Sequence, residues 1–192
     1  MNLEDIVLEN TQVKLLPLSL ENSLQLIPIA LQPKLIQYSP SDIESGDAFK
    51  NYVALALEQR DLRASIPFLI YSKVHKCAVG CTRFMNIDWK NKVLHIGSTW
   101  LGREFHGTGV NTQIKILMID FAFETLRFEK IEFRIDERNL QSRKAVEKLG
   151  GILEGILRKN VYLLDGYKRN TCCYGILPEE WKENKAKLTK GK

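Results

Sequence analysis

The chain has 192 residues, 44% of them hydrophobic and 27% charged, which excludes a disordered, collagen-like or coiled-coil protein and indicates one ordinary globular domain. It carries 28 Lys and Arg against 23 Asp and Glu, and this formal charge of +5 would by itself favour an anionic partner such as nucleic acid. Residues 182–192, however, hold five Lys and one Glu, or +4, so residues 1–181 carry only +1.

We therefore expect residues 1–181 to form the folded domain and residues 182–192 to form a basic, disordered C-terminal tail. The nearly neutral domain predicts no nucleic-acid partner. A ribosome- or RNA-associated protein that uses the lysine-rich tail stays open as an alternative.

Several other classes are excluded by local features. The start, MNLEDIVLEN, has two acids before any base, so no signal peptide is visible, and charged residues interrupt the most apolar stretch, residues 114–128, so we expect no membrane contact. The spacing of Cys77, Cys81, Cys172 and Cys173 does not match zinc ligands, so no metal is predicted. We interpret them as reduced, mostly buried thiols of a cytoplasmic protein.

The first third of the chain predicts a strand followed by helices. Residues 11–18 have the pattern of a strand. Residues 19–60 are helical in character, interrupted by prolines at 28, 33 and 40. Asp42 and Ser45 are candidate N-caps for the last of these helices.

The middle of the chain is rich in strands. Residues 66–71, 78–87 and 93–101 are short apolar runs with polar breaks, and residues 88–92 have the composition of a hairpin turn. Gly97 lies inside the third run, which predicts a β-bulge or a close approach of backbone there.

The second half predicts a crossover and a hairpin. A glycine-rich loop, residues 102–109, leads into a helix over residues 110–127 and then a strictly alternating strand over residues 130–136. A helix over residues 139–149 has Asn139 as N-cap and Gly150 as stop signal, and a hairpin turns at Asp165-Gly166. The pattern predicts an α/β (α+β) sheet with antiparallel ends and one strand–loop–helix–strand crossover.

The glycine-rich loop could bind phosphate. Gly107 and Gly109 would expose successive amides at the start of a helix, where the helix dipole favours an anion. The loop lacks the Lys-Ser/Thr of a Walker motif, and Thr112 stands where a dinucleotide fingerprint has its third glycine. A plain helix-capping turn remains the alternative interpretation.

Residues 106–111, HGTGVN, resemble the pyrophosphate loop Gln/Arg-x-x-Gly-x-Gly/Ala of the GNAT superfamily of N-acetyltransferases. Three further motifs resemble its RimJ/RimL-type branch: IGSTWL at 96–101, NLQS at 139–142 with EKLG at 147–150, and EGILR at 154–158. The resemblance covers residues 11–181. It implies a GNAT fold, which is a mixed, mostly antiparallel sheet of about seven strands with flanking helices and a splayed central strand pair.

The resemblance also implies acetyl-CoA as cosubstrate. In the family the pantetheine arm pairs with the splayed strand, the loop amides bind the pyrophosphate, and Asn-x-x-Ser contacts the arm and the sulfur. The implied binding residues are Trp100, Leu101, His106, Gly107, Thr108, Gly109, Val110, Asn111, Thr112, Asn139 and Ser142. His106 and Asn111 depart from the family's loop pattern, and these departures could weaken the binding of acetyl-CoA. Asn139 and Ser142 also fit a simple helix N-cap with a Ser at N3.

Two residues are candidate catalytic groups. Relatives of this branch have Glu-Ile-Gly-Tyr where this chain has His-Ile-Gly-Ser, so we hypothesise that His95 replaces the carboxylate as general base. The alternative is a packed, hydrogen-bonded histidine of the strand. Ser142 is the candidate that helps the thiolate leave, and a Glu that relatives carry near position 161 is absent. Weaker candidates are Glu154, Tyr162, Tyr167 and Tyr174.

The resemblance favours an acetyl-CoA-dependent N-acetyltransferase in which a primary amine attacks the thioester directly. A protein N-terminal α-amine of the ribosomal-protein type is the favoured acceptor, and a small-molecule amine or an antibiotic is the alternative. A CoA-binding module with weak catalysis is a further alternative, suggested by the two departures at positions 95 and 98. We also expect that the protein can form a homodimer.

Overall fold

A computed structural model of the protein describes residues 2–190. The strands are β1 (Leu8–Glu9), β2 (Val13–Pro17), β3 (Ser65–Ser72), β4 (Cys77–Asp88), β5 (Val93–Leu101), β6 (Lys130–Asp136), β7 (Ile152–Tyr162) and β8 (Lys168–Ile176). The α-helices are α1 (Leu20–Ser23), α2 (Ile27–Ala30), α3 (Gly46–Asp61), α4 (Val110–Asp120), α5 (Leu140–Lys148) and α6 (Pro178–Lys190). Short 3-10 helices cover Leu3–Asp5, Leu24–Leu26 and Arg103–Phe105, and a π-helical turn covers Phe121–Thr125.

Within the described range the strands form one sheet in the order β1-β2-β3-β4-β5-β6-β8-β7. Neighbouring strands are antiparallel except β5 and β6, which are parallel and joined through α4, as the crossover pattern predicts. The sheet has eight strands rather than about seven because the two-residue strand β1 adds to its edge. The predicted fold class is therefore confirmed, with one short strand more than expected.

The predicted bounds of β5 and β6 are those observed, whereas two helical predictions need correction. The helix predicted over residues 110–127 keeps α-helical geometry only to Asp120, and the next turn is π-helical, with the Leu126 amide donating to the Phe121 carbonyl at 3.0 Å. Helix is continuous over Gly46–Asp61 but not over all of residues 19–60, because residues 31–45 form turns and bends around two of the prolines.

Two hydrophobic cores lie on opposite faces of the sheet. One contains Phe84, Ile96 and Phe133 and packs against α4, α5 and α6. The other contains Leu69 and Trp100 and packs against α2 and α3. Because β5 contributes side chains to both cores, its backbone is held rigidly between two helical layers.

The C-terminal segment differs from the sequence prediction. Helix α6 continues to Lys190, so the expectation of a disordered tail is wrong for residues 182–190, while residues 191 and 192 lie outside the described residues. Trp181 is buried, and its indole Nε1 donates to Asp120 Oδ1 at 2.8 Å. Lys185 forms an ion pair with the same carboxylate at 2.7 Å, so α6 is attached to α4 by packing and charge. The division into a domain and a tail at residue 181 stays a prediction.

Of the two predicted N-caps of α3, the structure uses Ser45, whereas Asp42 accepts from the Glu44 amide before the helix begins. Ser45 Oγ accepts a hydrogen bond from the Ala48 amide at 3.1 Å and begins α3. Gly150 has a φ of +92° directly after the cap residue of α5, a conformation that favours glycine. The four cysteines are free thiols: Cys81 and Cys172 are buried, Cys173 is half-buried and Cys77 is exposed.

Candidate active site

A cleft of about 1030 Å³ runs across the sheet at the C-terminal ends of β5 and β6. Its walls come from β5, the first turns of α4 and α5, the end of β6 and residues 34–41. Most of the predicted site residues line it: His95, Trp100, Leu101, His106, Gly107, Gly109, Asn111, Thr112, Asn139 and Ser142. Thr108 and Val110 do not line the cleft, because the hydroxyl of Thr108 donates to the Phe105 carbonyl and Val110 packs into the core.

The cleft enters the sheet because β5 and β6 separate. Their ladder holds only three residue pairs, Val93–Lys130, Leu94–Ile131 and His95–Glu132. Beyond His95 the two strands diverge, and β6 pairs with β8 on its other side. The gap leaves backbone groups of β5 facing the cleft, where an extended ligand could pair with them.

A β-bulge lies where the gap opens. Arg83 of β4 pairs with Gly97 and Cys81 pairs with Trp100, so Ser98 and Thr99 together lie opposite a single residue of β4. Ser98 has a φ of +46°, a left-handed conformation that is strained for serine. The bulge predicted at Gly97 is therefore present, and it turns the backbone at the innermost part of the cleft.

The glycine-rich loop leaves the start of α4 open. Gly107 and Gly109 have φ values of +75° and +86°, and a Cβ at either position would meet no atom within 4 Å. Gly109 is the N-cap residue, and no side chain in the described part of the chain caps this helix. Its first amides are thus available to an anion, as the sequence predicts for a phosphate cradle. His106 does not extend into the cradle, because its Nε2 lies 3.1 Å from the Leu101 carbonyl.

Helix α5 begins on the opposite wall. Asn139 Oδ1 accepts a hydrogen bond from the Ser142 amide at 3.1 Å. This is the N-cap interaction that the sequence analysis gave as one of two interpretations of these residues. Both residues also line the cleft. Capping engages the Ser142 amide and leaves its hydroxyl free for a ligand, so the capping role and a binding role are compatible.

His95 lies at the apex of the gap with a partner on each ring nitrogen. Its Nε2 is 3.1 Å from Glu132 Oε2, and its Nδ1 is 3.1 Å from the Asn86 amide nitrogen. Burial lowers the pKa of His95 below its ordinary value, although the charge of Glu132 acts in the opposite direction. The ring is therefore neutral near pH 7, with Nε2–H donating to Glu132 and Nδ1 accepting from Asn86.

Sequence reasoning missed Glu132. It lies on the polar face of an alternating strand, and nothing in its local sequence pattern distinguishes it from the other acidic residues of the chain. Burial alone would raise its pKa, but hydrogen bonds from Arg134 and Lys130 hold the pKa below the ordinary value. The carboxylate is thus ionised and is oriented toward the imidazole of His95.

Residues 12–152, most of the chain, match the family model described as the acetyltransferase (GNAT) domain. The chain belongs to the GNAT acetyltransferase family. The splayed strands, the bulge and the uncapped helix after Gly109 are therefore the framework of a GNAT site, and the predicted resemblance to the RimJ/RimL-type branch is confirmed.

Two curated relatives match parts of this GNAT chain. The Bacillus subtilis (strain 168) protein named "Putative ribosomal N-acetyltransferase YdaF" is 30% identical over 106 residues, which are 55% of this chain and 57% of that protein. "Probable N-acetyltransferase YjcK" of the same strain is 40% identical over 62 residues, 32% of this chain and 34% of that protein. The chain thus spans between a third and somewhat more than half of these relatives.

Solved structures extend the likeness to the whole GNAT fold. One described as a "putative acetyltransferase from T. thermophilus" is 29% identical with a TM-score of 0.85 and covers 95% of each chain. Ribosomal-protein-S5-alanine acetyltransferase from Vibrio fischeri has a TM-score of 0.76 at 18% identity, covering 92% of this chain and 99% of that one. The second comparison shows the shared fold alone.

Four weaker candidates from the sequence do not line the cleft: Glu154, Tyr162, Tyr167 and Tyr174. Glu154 pairs with Lys130 at 2.7 Å, and the Tyr167 ring lies 3.7 Å from the Arg138 guanidinium. Tyr174 is fully buried, and its hydroxyl donates to Glu147 and accepts from Arg143. The structure therefore does not bring these four side chains into the cleft with the other predicted site residues.

An aromatic wall closes the cleft on the α3 side. Trp100 Nε1 donates to the Tyr52 hydroxyl at 3.3 Å, and the Arg83 guanidinium lies 4.6 Å from the centre of the Tyr52 ring. Burial would lower the pKa of Arg83, but Tyr52 and Cys81 raise it, so the guanidinium stays charged. Trp100 therefore contributes a rigid surface rather than a free polar group.

Lys115 is a second residue that sequence reasoning missed. It is 5% exposed, lines the cleft from α4, and its Nζ lies 2.6 Å from Thr99 Oγ1 at the bulge. Burial lowers the pKa of Lys115 to about 7. The available signal was its spacing from Asn111, because residues four apart share one helix face.

Between residues 2 and 190 no helix is both long and apolar enough to cross a bilayer. The same residues contain no group of three or more His, Cys, Asp or Glu side chains arranged to hold a metal ion. The charged side chains that line the cleft are mainly basic: Lys34, Arg103, Lys115, Arg134, Lys148 and Arg169, with Asp136 as the acid among the lining residues described.

Proposed function

We propose that the protein is an acetyl-CoA-dependent N-acetyltransferase that transfers the acetyl group to a primary amine by direct attack. The observation that carries the proposal is the continuous path from the uncapped start of α4, along the open backbone of β5, to His95 at the apex of the strand gap. A phosphate cradle, an extended binding edge and a neutral base thus lie along one cleft.

The cleft suits acetyl-CoA as cosubstrate. The amides after Gly107 and Gly109 would hold the pyrophosphate, because no side chain occupies the space in front of them. The backbone of residues 97–101 would pair with the pantetheine arm. The exposed basic side chains of the lining, Lys34, Arg103 and Lys148, would balance the phosphate charge. Asn139 and Ser142 would meet the arm from the opposite wall.

His95 would act as the general base. An attacking amine must be neutral, and Nδ1 of a neutral imidazole can take its proton if the amine replaces the Asn86 contact. Glu132 then stabilises the imidazolium that forms, which is the arrangement of a base oriented by a carboxylate. The Ser142 hydroxyl would donate a hydrogen bond to the sulfur as the C–S bond breaks.

We propose a protein N-terminal α-amine as the acceptor. An α-amine titrates at about 7.7–8.0, so a base with a pKa below 6.5 is sufficient, whereas a lysine amine near ~10.4 would need a stronger one. A relative named for ribosomal N-acetylation and a solved ribosomal-protein acetyltransferase of the same fold support this class. We further propose a cytoplasmic location and a homodimer.

A small-molecule acceptor is the second candidate. Residues 34–41 and residues 160–161 line the cleft as an open wall, and a GNAT-fold immunity enzyme, MccE, has been solved with acetyl-CoA and AMP. A panel that contains small amines and an antibiotic beside peptides therefore distinguishes the two acceptor classes.

The deciding experiment combines binding with turnover. Calorimetry with acetyl-CoA should give saturable binding, and thiol release should then identify the amines that are acetylated, with mass spectrometry locating the acetyl group. Binding without thiol release from any amine would favour a CoA-binding module with weak catalysis. Absence of both heat and thermal stabilisation would refute the proposal.

A further inference from the structure

We propose that Lys115 is a catalytic residue of this site: its ammonium donates the proton that the departing CoA thiolate takes up. The proposal rests on the proposed function, since it needs acetyl-CoA in the cleft. It assigns a role to a buried lysine that takes no part in the roles proposed for the general base His95, the phosphate-binding loop or the N-cap at Asn139.

The first argument is position. Lys115 lies one helical turn after Asn111, so its stem runs along the wall of the cleft from the phosphate cradle to the bulge. Its Nζ is 2.6 Å from Thr99 Oγ1, and Ser98 and Thr99 form the bulge where the strand gap opens. A ligand that extends from the cradle to the gap apex must pass this amine.

The second argument is the absence of a counter-ion. A buried lysine ordinarily pairs with a carboxylate or extends to water, because an unpaired buried charge is costly. No acid in the described chain lies within ion-pair distance of Lys115, and burial is the cause of its lowered pKa. The hydrogen-bond partner of its Nζ is the neutral hydroxyl of Thr99.

The third argument is that both charge states fit the site. The Thr99 hydroxyl can accept from an ammonium or donate to a neutral amine, and Thr82 Oγ1, 2.7 Å away, can reverse its own hydrogen bond to match. Asn111 Oδ1 is also buried without a hydrogen-bond partner and shares the helix face of Lys115. The amine can therefore lose and regain a proton without a change of fold.

The chemistry requires such an acid. The acceptor nitrogen forms a bond to the acetyl carbon, the C–S bond breaks, and the sulfur keeps the electron pair. The electron pair on sulfur takes a proton from the Lys115 ammonium, which leaves Lys115 as a neutral amine. The acceptor nitrogen has meanwhile given its proton to His95. This proton returns from His95 to the Lys115 amine through water. A pKa of about 7 lies below the ~8.5 of a thiol, so the transfer is downhill. A serine hydroxyl, by contrast, donates a hydrogen bond without giving up its proton.

The test is the pH dependence of kcat at saturating acetyl-CoA and acceptor amine. Because the proposed acid must be protonated, kcat of the wild-type protein should fall as pH rises through about 7. Lys115→Met should remove this basic limb, and Lys115→Gln, which keeps a donor for Thr99, should remove it equally.

Kinetics and a matched variant complete the test. Lys115→Met should reduce kcat about 10²-fold and leave the desulfo-CoA affinity within about threefold. Lys50→Met removes an exposed lysine of α3 outside the cleft and should change neither readout. A basic limb or a kcat that is unchanged in both Lys115 variants overturns the role of Lys115 alone. Failure of the wild-type protein to bind CoA overturns the proposed function with it.

Discussion

The imidazole of His95 and the carboxylate of Glu132 meet at the last paired position of β5 and β6, with 3.1 Å between Nε2 and Oε2. The pair thus stands where the only parallel ladder within the described sheet ends and the cleft begins. The carboxylate beside His95 is therefore supplied by the neighbouring strand β6.

Replacing His95 tests whether this pair serves catalysis. His95→Ala should reduce kcat/KM about 10²–10⁴-fold and leave acetyl-CoA binding intact, because the base acts on the acceptor. Calorimetry and thiol release measure the two effects separately. Turnover that is unchanged across pH in the variant would leave His95 as a packed histidine of the strand.

Glu132→Gln should alter the pH profile of turnover. Burial lowers the pKa of His95 and the charge of Glu132 partly opposes that shift, so loss of the charge should move the acidic limb to lower pH. Turnover at pH 8 should fall as well, because the imidazolium loses its partner. An acidic limb that stays in place, or moves to higher pH, contradicts the pairing.

The same histidine affects stability with a defined sign. Its folded pKa lies below its unfolded pKa, so the unfolded chain binds the additional proton between the two values. The titration of His95 should therefore lower the free energy of unfolding as pH drops below about 6.5 and contribute no pH dependence above it. Urea unfolding at pH 5 and pH 8 measures this effect: the free energy should fall more between pH 8 and pH 5 in the wild type than in His95→Asn.

Gly109→Ala should weaken acetyl-CoA binding at least tenfold. Alanine is strained at a φ of +86°, and its Cβ would enter the open space in front of the helix amides. Gly155→Ala is the matched control, since that position also has no atom within 4 Å but lies outside the cleft in β7. Equal affinities for the two variants would show that the cradle is not the phosphate site.

Asn139→Ala should affect both stability and binding. Loss of the N-cap bond to the Ser142 amide should cost about 1 kcal/mol of unfolding free energy. Ser45→Ala removes the corresponding cap of α3 and should cost a similar amount. Acetyl-CoA affinity should fall only in the Asn139 variant, and a fall in both would indicate a general loss of stability.

Helix α6 should contribute to folding rather than to RNA binding. Trp181→Ala removes a buried indole and its hydrogen bond to Asp120, so it should cost about 3–5 kcal/mol, measured by urea unfolding. Deletion of residues 182–192 should cost less, because Trp181 remains. RNA binding that falls steeply with salt and is lost in this deletion would instead support the RNA-associated alternative.

Local chemistry in the sequence determined much of this protein. The bounds of β5 and β6, the bulge near Gly97, the caps at Ser45 and Asn139 and the stop at Gly150 all follow from side chains within a few residues of the feature. The conformation of the glycine-rich loop is also determined locally, because it depends on the absence of a Cβ at its glycines. These features carried the resemblance to the GNAT family.

Tertiary structure alone decided which charged side chains meet at the candidate site. Glu132 reaches His95 only because β5 and β6 are parallel in a register that places them side by side. Lys115 becomes a buried, unpaired cation because the wall of the cleft covers its helix face, and residues 182–190 become helix because Trp181 and Lys185 contact Asp120. Burial and long-range pairing set the charge states of such groups, and neither can be predicted from the residues next to them in the sequence.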